Sequence, residues 1–563
     1  MKRKFAFRIF NTVLGILSLV GSLTAQDLKP VVTMTIQNVQ TIAEALPAMA
    51  QAADDKSGGI AAVVFQSFVS QDAFKDAIDV QRPAGLFLIP TAPKQEPMPI
   101  VVLPIKDVEK AGKLLPPAFA FEKTAENCWK VSCKGEDGKP TDQLICCVYV
   151  KGDWCFLTQK ENEVVKASEC AEFKQLLASE AAGRDLGATL FVNGVLESER
   201  QELCEGLVQN LLGGIDCNRK CMGESMANFF REELEKFLKS AKDHHYESPI
   251  SEARLSYCWN ADAKKLVIRN SFTGNAENGQ IQDLSRVVKG GESALINFGT
   301  AGTLASCQFN ASIAEMKDPV VVKLLAMRHE QIKKRIAKCH GEEAANEICG
   351  FFEKNGELFL NAFFGPEIES AGAVYANKEQ LTLVGARVVP DGYALEKTFQ
   401  TAINYIKTKK ADKIDAHVKD AKRVEEGDLH IFQANFVPDH PLPKKIDALF
   451  GGKVPACVIF TPKAAYYALG TDACETLKKC IANAKSADAP VFSARVSAQN
   501  ALEVVACQKE VPADLLEKLR KVGDSELTVK VVSLENGMEV VTEIPAQIFR
   551  MMVLCRDRKC SEK

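Results

Sequence analysis

The second half of this chain repeats the first in the same order of segments. Gly152-Asp153-Trp154-Cys155-Phe156-Leu157, with the Lys- and Glu-rich stretch after it, answers to Ala464-Ala465-Tyr466-Tyr467-Ala468-Leu469 and its own Lys-rich stretch. Arg254–Tyr257 and Leu266–Arg269, spaced as a hairpin, answer to Glu526–Val529 and Glu539–Thr542. An ordered repeat constrains architecture, because each copy must bury a core of its own. It says little about chemistry, which resides in sites and not in folds.

The first copy is placed at 26–290 and the second at 291–563. Val31–Ile36 alternates and is β-rich, which reads as a strand. Val39–Ala52 carries Ile42, Ala45, Leu46 and Met49 at helical spacing. Gly85–Ile89 and Pro99–Leu103 are short apolar runs bounded by prolines. A long helical stretch over 195–243 is expected to break near Gly213-Gly214 and Cys217. In the second copy, Leu381–Pro390 leads into Tyr393–Phe399 as Ile100–Pro104 leads into Val108–Ala111. Leu429–Phe432 takes the place of Cys128–Val131, and Ala456–Phe460 that of Cys146–Val150. Hairpin-linked strands mixed with helices that do not alternate with them predict an α+β fold. Its expected form is two tandem copies of a mainly antiparallel sheet, with helices covering one face.

Lys2, Arg3, Lys4 and Arg8 precede a short apolar run from Ile9 to Val20, and Ser22-Leu23-Thr24-Ala25 supplies small residues before Gln26. This is the form of a secretory signal peptide over 1–25. The run is short for a membrane span of about 20 residues, and no later segment reaches that length and purity. The expected location is therefore periplasmic or extracellular, with no integral span once the signal is removed. A net charge of −3 offers no attraction for nucleic acid.

The 19 cysteines name no activity. Cys133, Cys146, Cys147 and Cys155 lie in strand-like apolar runs, where cysteine acts as a small hydrophobe. Cys217 with Cys221, and Cys555 with Cys560, lie in polar, loop-like settings and are the better disulfide candidates. No Cys-x-x-Cys occurs, so a thioredoxin-type centre or zinc ribbon has no support.

Zinc-protease, Walker, dinucleotide and nucleophile-elbow motifs are all missing from the sequence. His244-His245 is the one local cluster that could hold a metal. Adjacent helical residues point about 100° apart, so solvation of a helix end is the better reading. His340 makes Cys339 the least poor thiol nucleophile. Trp129, Trp154, Trp259 and the pairs Phe229-Phe230, Phe351-Phe352 and Phe363-Phe364 read as core anchors before ligand contacts. The stretches Val388–Lys397 and Tyr466–Lys478 resemble recurring segments of large exported proteins of planctomycete-type bacteria. The resemblance implies export and a duplicated α+β body, and brings no catalytic residue with it.

The expected function is thus a non-catalytic exported envelope protein. It would have a binding or structural role, with an apolar ligand or protein partner between the two copies. No catalytic residue, metal or cofactor is assigned. The alternative is an exported hydrolase or thiol enzyme whose site is assembled from distant residues. Mass measurement of the native N-terminus is expected to give a chain beginning at Gln26, and a mature protein still starting at Met1 would contradict export with cleavage.

Overall fold

The computed structural model describes residues 30–561 outside 53–55, 91–96, 136, 160–170, 196, 223, 244–249, 275–289, 300–301, 313–329, most of 331–366, 377–379, 402, 405–417, 439–446, 448–449, 509–511 and 524. The chain divides into two units, Met1–Ile281 and Gln282–Lys563. The fold is α+β, with mostly antiparallel strands.

The first unit holds strands β1 (Val32–Ile36), β2 (Ala84–Ile89), β3 (Met98–Pro104), β4 (Phe119–Ala125), β5 (Cys128–Lys134), β6 (Pro140–Lys151), β7 (Trp154–Thr158), β8 (Leu186–Phe191), β9 (Ile250–Asn260) and β10 (Lys265–Gly274). They pair antiparallel in the order β4-β5-β6-β7-β3-β2-β1-β8-β9-β10. Its helices are α1 (Val39–Ala52), α2 (Lys56–Val69), α3 (Asp72–Ala77), α4 (Val108–Lys113), α5 (Ala171–Ala181), α6 (Glu197–Met222) and α7 (Glu224–Asp243).

Strand β7 explains why its sequence is apolar without interruption. Trp154 and Phe156 join Phe87, Ile100 and, from α5, Phe173 and Leu177 in one core. Cys155 points the other way, into a second core with Ile105, Trp129, Val131 and Val148. A strand covered on both faces needs no polar alternate. Helices covering one face alone were expected; the sheet is instead buried on both sides here, by α5 on one and by α4 with the curled β4–β5 hairpin on the other. Asp107 caps α4, its Oδ1 accepting from the backbone N–H groups of Glu109 and Lys110, both at 3.0 Å.

The expected break near Gly213-Gly214 does not occur, and α6 runs unbroken from Glu197 to Met222. Each glycine costs a helix only about 1 kcal/mol. Arg231 of α7 grips Asp216 of α6 with 2.8 Å contacts to both carboxylate oxygens, tying the two helices across the suspect stretch.

The second unit holds β11 (Gly291–Ile296), β12 (Ala305–Ser312), β13 (Glu367–Ala376), β14 (Leu381–Val388), β15 (Val418–Glu426), β16 (Leu429–Phe436), β17 (Val454–Thr461), β18 (Ala464–Gly470), β19 (Lys485–Ala489), β20 (Phe492–Ser497), β21 (Glu526–Leu534) and β22 (Gly537–Pro545). The main antiparallel order is β15-β16-β17-β18-β14-β13-β12-β20-β21-β22, and β11 pairs with β19 separately. A helix over 392–401 (α8) follows β14. Helices α9 (Ala473–Asn483), α10 (Ala498–Gln508), α11 (Ala513–Arg520) and α12 (Ala546–Ser561) come later. The sheet is again buried on two faces. Ile431, Cys457, Ile459 and Tyr466 pack with Leu477 and Cys480 of α9, while Phe460 packs with Val389, Leu395 and Phe399 on the α8 side.

Set side by side, the two main sheets have the same strand order, position for position. Small connections match as well. Ile105 N–H donates to Asp153 O in the first unit and Val389 N–H to Lys463 O in the second, both at 2.9 Å. Phe191 N–H donates to Val31 O at 2.8 Å, and Ser497 N–H to Leu304 O at 2.9 Å. Lys123 lies 5.4 Å from the Trp129 ring centre, and Arg423 lies 5.6 Å from that of Phe432.

The sequence match of Cys146–Val150 with Ala456–Phe460 agrees with the strand pairing, while those at Trp154 and Trp129 need correcting by two positions. The β6–β7 turn is closed by Lys151 opposite Trp154, and the β17–β18 turn by Thr461 opposite Ala464. Counting from these turns, Trp154 corresponds to Ala464, Cys155 to Ala465, and Phe156 to Tyr466. Trp129, opposite Val148, corresponds to Phe432, opposite Val458, and not to His430. A slip of two is one strand period, so at Trp154 and Trp129 the face was kept while the register was lost.

Gly392 opens α8 directly against the β17–β18 turn, and a Cβ there would meet the backbone carbonyl oxygens of Thr461 and Ala464. Backbone cannot swing aside as a side-chain end can. Gly392→Ala is therefore expected to destabilise the protein by about 2 kcal/mol, seen as a lowered urea midpoint. Gly206→Ala, on an open stretch of α6 with nothing within 4 Å, should leave the midpoint unchanged or raise it.

Candidate functional site

Among the described residues of the second unit, a cluster of interacting charged side chains lies between α8 and the β15–β16 hairpin. Asp391 caps α8, its Oδ1 accepting from Ala394 N–H at 2.9 Å. One turn on, Glu396 points inward from the helix and is only 4% exposed. Its Oε1 accepts from Arg423 Nε at 3.0 Å, from Arg423 Nη2 at 2.9 Å and from Gln400 Nε2 at 2.6 Å. Its Oε2 pairs with His430 Nδ1. Arg423 also pairs with Glu425, and its guanidinium faces the Phe432 ring. Tyr393 stacks on the His430 imidazole with ring centres 4.3 Å apart, and its hydroxyl donates to Asp428 O at 3.0 Å.

Burial alone would raise the Glu396 carboxyl. The hydrogen bonds from His430 and Arg423 outweigh it and hold the group below its ordinary value. A carboxylate fixing Nδ1 of a histidine is also how hydrolases orient a general base. Here both oxygens of Glu396 are engaged, and among the described residues no serine, threonine or cysteine is hydrogen-bonded to His430. The assembly thus joins helix to hairpin across a partly buried ion pair.

The Cys146 and Cys155 thiols are poorly suited to nucleophilic work. Burial pushes Cys146, with a smaller contribution from Cys147, up to about 12, and Cys155, with one from Cys146, up to about 12. They stay protonated at neutral pH, and the thiolate is the reactive form. The two disulfide candidates are corrected by their setting. Cys217 and Cys221 both lie within α6, and Cys555 and Cys560 within α12. Cys217 and Cys555 are free thiols.

His244-His245, Cys339-His340, Phe351-Phe352 and Phe363-Phe364 lie outside the described residues. Among the described residues no group of three His, Cys, Asp or Glu side chains is placed to hold a metal. Trp129 is buried, stacks on Phe121 at 6.1 Å and donates its indole N–H to Glu109 at 3.2 Å. Trp154 is buried under the Arg82 guanidinium, 4.3 Å from its ring. Trp259 is half-buried, and its backbone N–H donates to Asp185 at 2.6 Å. Phe229 and Phe230 meet edge to face at 5.6 Å.

A different feature stands out on the first unit. Helix α2 packs one side, with Phe65 and Val69, against Ala43 of α1 and Val80. Its other side carries Ile60, Val63, Val64 and Phe68, exposed by 69%, 55%, 61% and 41%. The spacing 60, 63, 64 and 68 places them on one helical stripe. Nothing in the sequence flagged it, because α2 is apolar all round and periodicity is lost when both faces are hydrophobic.

No protein-family model, no curated protein and no solved structure matches the chain. No described helix is long and apolar enough to cross a membrane.

The Glu396 assembly carries a pH signature. A depressed carboxylate contributes stability that is complete above its ordinary value of 4.5 and disappears as the pH falls through the lowered value. Glu396→Gln is expected to lose about 2 kcal/mol at pH 7. Its unfolding midpoint should also decline less than that of the unaltered protein as the pH is taken below 4.5. Parallel decline of the two would contradict this assignment.

Proposed function

We propose that the protein is a non-catalytic exported protein that docks a protein partner through the outer face of α2. The observation carrying this reading is the stripe Ile60, Val63, Val64 and Phe68. A helix apolar on both faces is suited to being covered on both, and contiguous exposed apolar side chains mark interaction surfaces. The protonated Cys146 and Cys155 thiols and the fully engaged carboxylate of Glu396 support the non-catalytic side. The basic start, apolar run and Ala25 support export to the periplasm or exterior. The equal strand orders and the matching backbone bonds support two copies of one α+β unit.

A second reading, an exported hydrolase, draws on the Glu396–His430 pair. It requires a nucleophile or a water held against His430, and hydrolytic turnover that is lost in His430→Ala while the fold is kept.

A photo-crosslinking residue placed at Val64 in the producing cells tests the docking surface. The expected result is an adduct with a protein of defined mass, absent when the crosslinker sits at the exposed Gln71 of the loop after α2. Val63→Asp, which charges the stripe without touching the core, should abolish the adduct. Adducts with lipid alone, or an adduct indifferent to Val63→Asp, would overturn the reading.

A further inference from the structure

We propose that Cys457 and Cys474 are a disulfide-forming pair that fastens α9 to the sheet of the second unit. Cys457 lies on β17 and faces the side of the sheet that α9 covers, fully buried in the core that includes Leu477 and Cys480. Cys474 stands in the first turn of α9 and packs against the same core. Gln433 ties the two positions together. It sits directly opposite Cys457 in the β16–β17 pairing, and its Nε2 lies 2.8 Å from Cys474 Sγ. Directly opposed strand residues project to the same face, so Cys457 and Gln433 both point at the start of α9. After burial, the Cys474 thiol is the neighbour that most pushes the Cys457 thiol up. A disulfide needs two thiols brought together from elements packed on one another, which is how β17 and α9 present this pair.

The two thiols differ in what they can do. Burial holds Cys457 protonated, above the ordinary thiol value. Cys474 is half-buried and so more accessible. With a small disulfide as oxidant, the Cys474 thiolate attacks one sulfur, forms a mixed disulfide and releases the first small thiolate. Cys457 then loses its proton to water, attacks Cys474 Sγ and expels the second. The protein gives up two hydrogens as protons and two electrons, and the oxidant leaves as two thiols. The closed loop spans β18 and the start of α9, so the link would hold the covering helix on its sheet when the helix would otherwise peel away. This inference stands apart from the docking face on α2 and is tested separately.

The full chain, purified under reducing conditions, is treated with oxidised glutathione, alkylated after unfolding and mapped by peptide mass without reductant. The expected product is the peptide carrying Cys457 joined to that carrying Cys474, lighter by two hydrogens and separated by dithiothreitol. Oxidation should raise Tm by roughly 5 °C or more, and Cys474→Ser should remove that rise. Recovery of both cysteines alkylated after oxidation, or of either joined to a different cysteine or to glutathione, would overturn the proposal. The peptide map uses the unaltered chain, so it decides the matter even where Cys474→Ser folds poorly.

Discussion

Each main sheet depends on one strand whose two faces are both covered. In the first unit it is β7, carrying Phe156 into one core and Cys155 into the other. In the second it is β17, where Ile459 packs with α9 and Phe460 packs on the α8 side. A strand in this position must supply apolar side chains to both faces, and its neighbours must present covering elements on both sides. Much else in each unit follows from meeting that demand. The helix after the third strand covers one side, and the helix after the seventh covers the other.

The two units meet the same demand with different chemistry. Between helix and hairpin the first unit uses an indole donating to a carboxylate, Trp129 to Glu109. The second uses Glu396 with Arg423, His430 and Gln400 at a similar place. The cation over an aromatic ring is kept in both, as Lys123 with Trp129 and Arg423 with Phe432. A carboxylate so enclosed is stable only while its cationic partners remain.

The strand grammar was legible in sequence because alternation and turn residues are local. The hairpins 252–273 and 526–542, and the strands around Trp154 and Tyr466, were all found. Register was not legible: Trp154 was matched to Tyr466 when the turn geometry pairs it with Ala464. Period-two patterning identifies a face and leaves open a slip by one full period. The Glu396 cluster was invisible for another reason. Glu396, Arg423 and His430 are brought together by the packing of α8 on a hairpin, and no spacing along the chain encodes that. Gly213-Gly214 misled because a propensity of about 1 kcal/mol per glycine yields to helix pairing through Arg231 and Asp216. The half-exposed α2 stripe was hidden by a helix with no polar face.

In both main sheets the first of the described strands along the chain ends up in the interior of the order, between the second strand and the eighth. Val32 pairs with Leu88 on one side and with Leu190 on the other, and Ala305 pairs with Val374 and with Val496. One edge of β1 and one edge of β12 therefore wait for partners from far along the chain. Such pairings raise contact order and slow folding, and they leave a bare hydrogen-bonding edge while the intervening hairpins close. A nascent unit of this kind is sticky until its eighth strand is in place, so its natural dependence is on whatever shields that edge during synthesis and delivery.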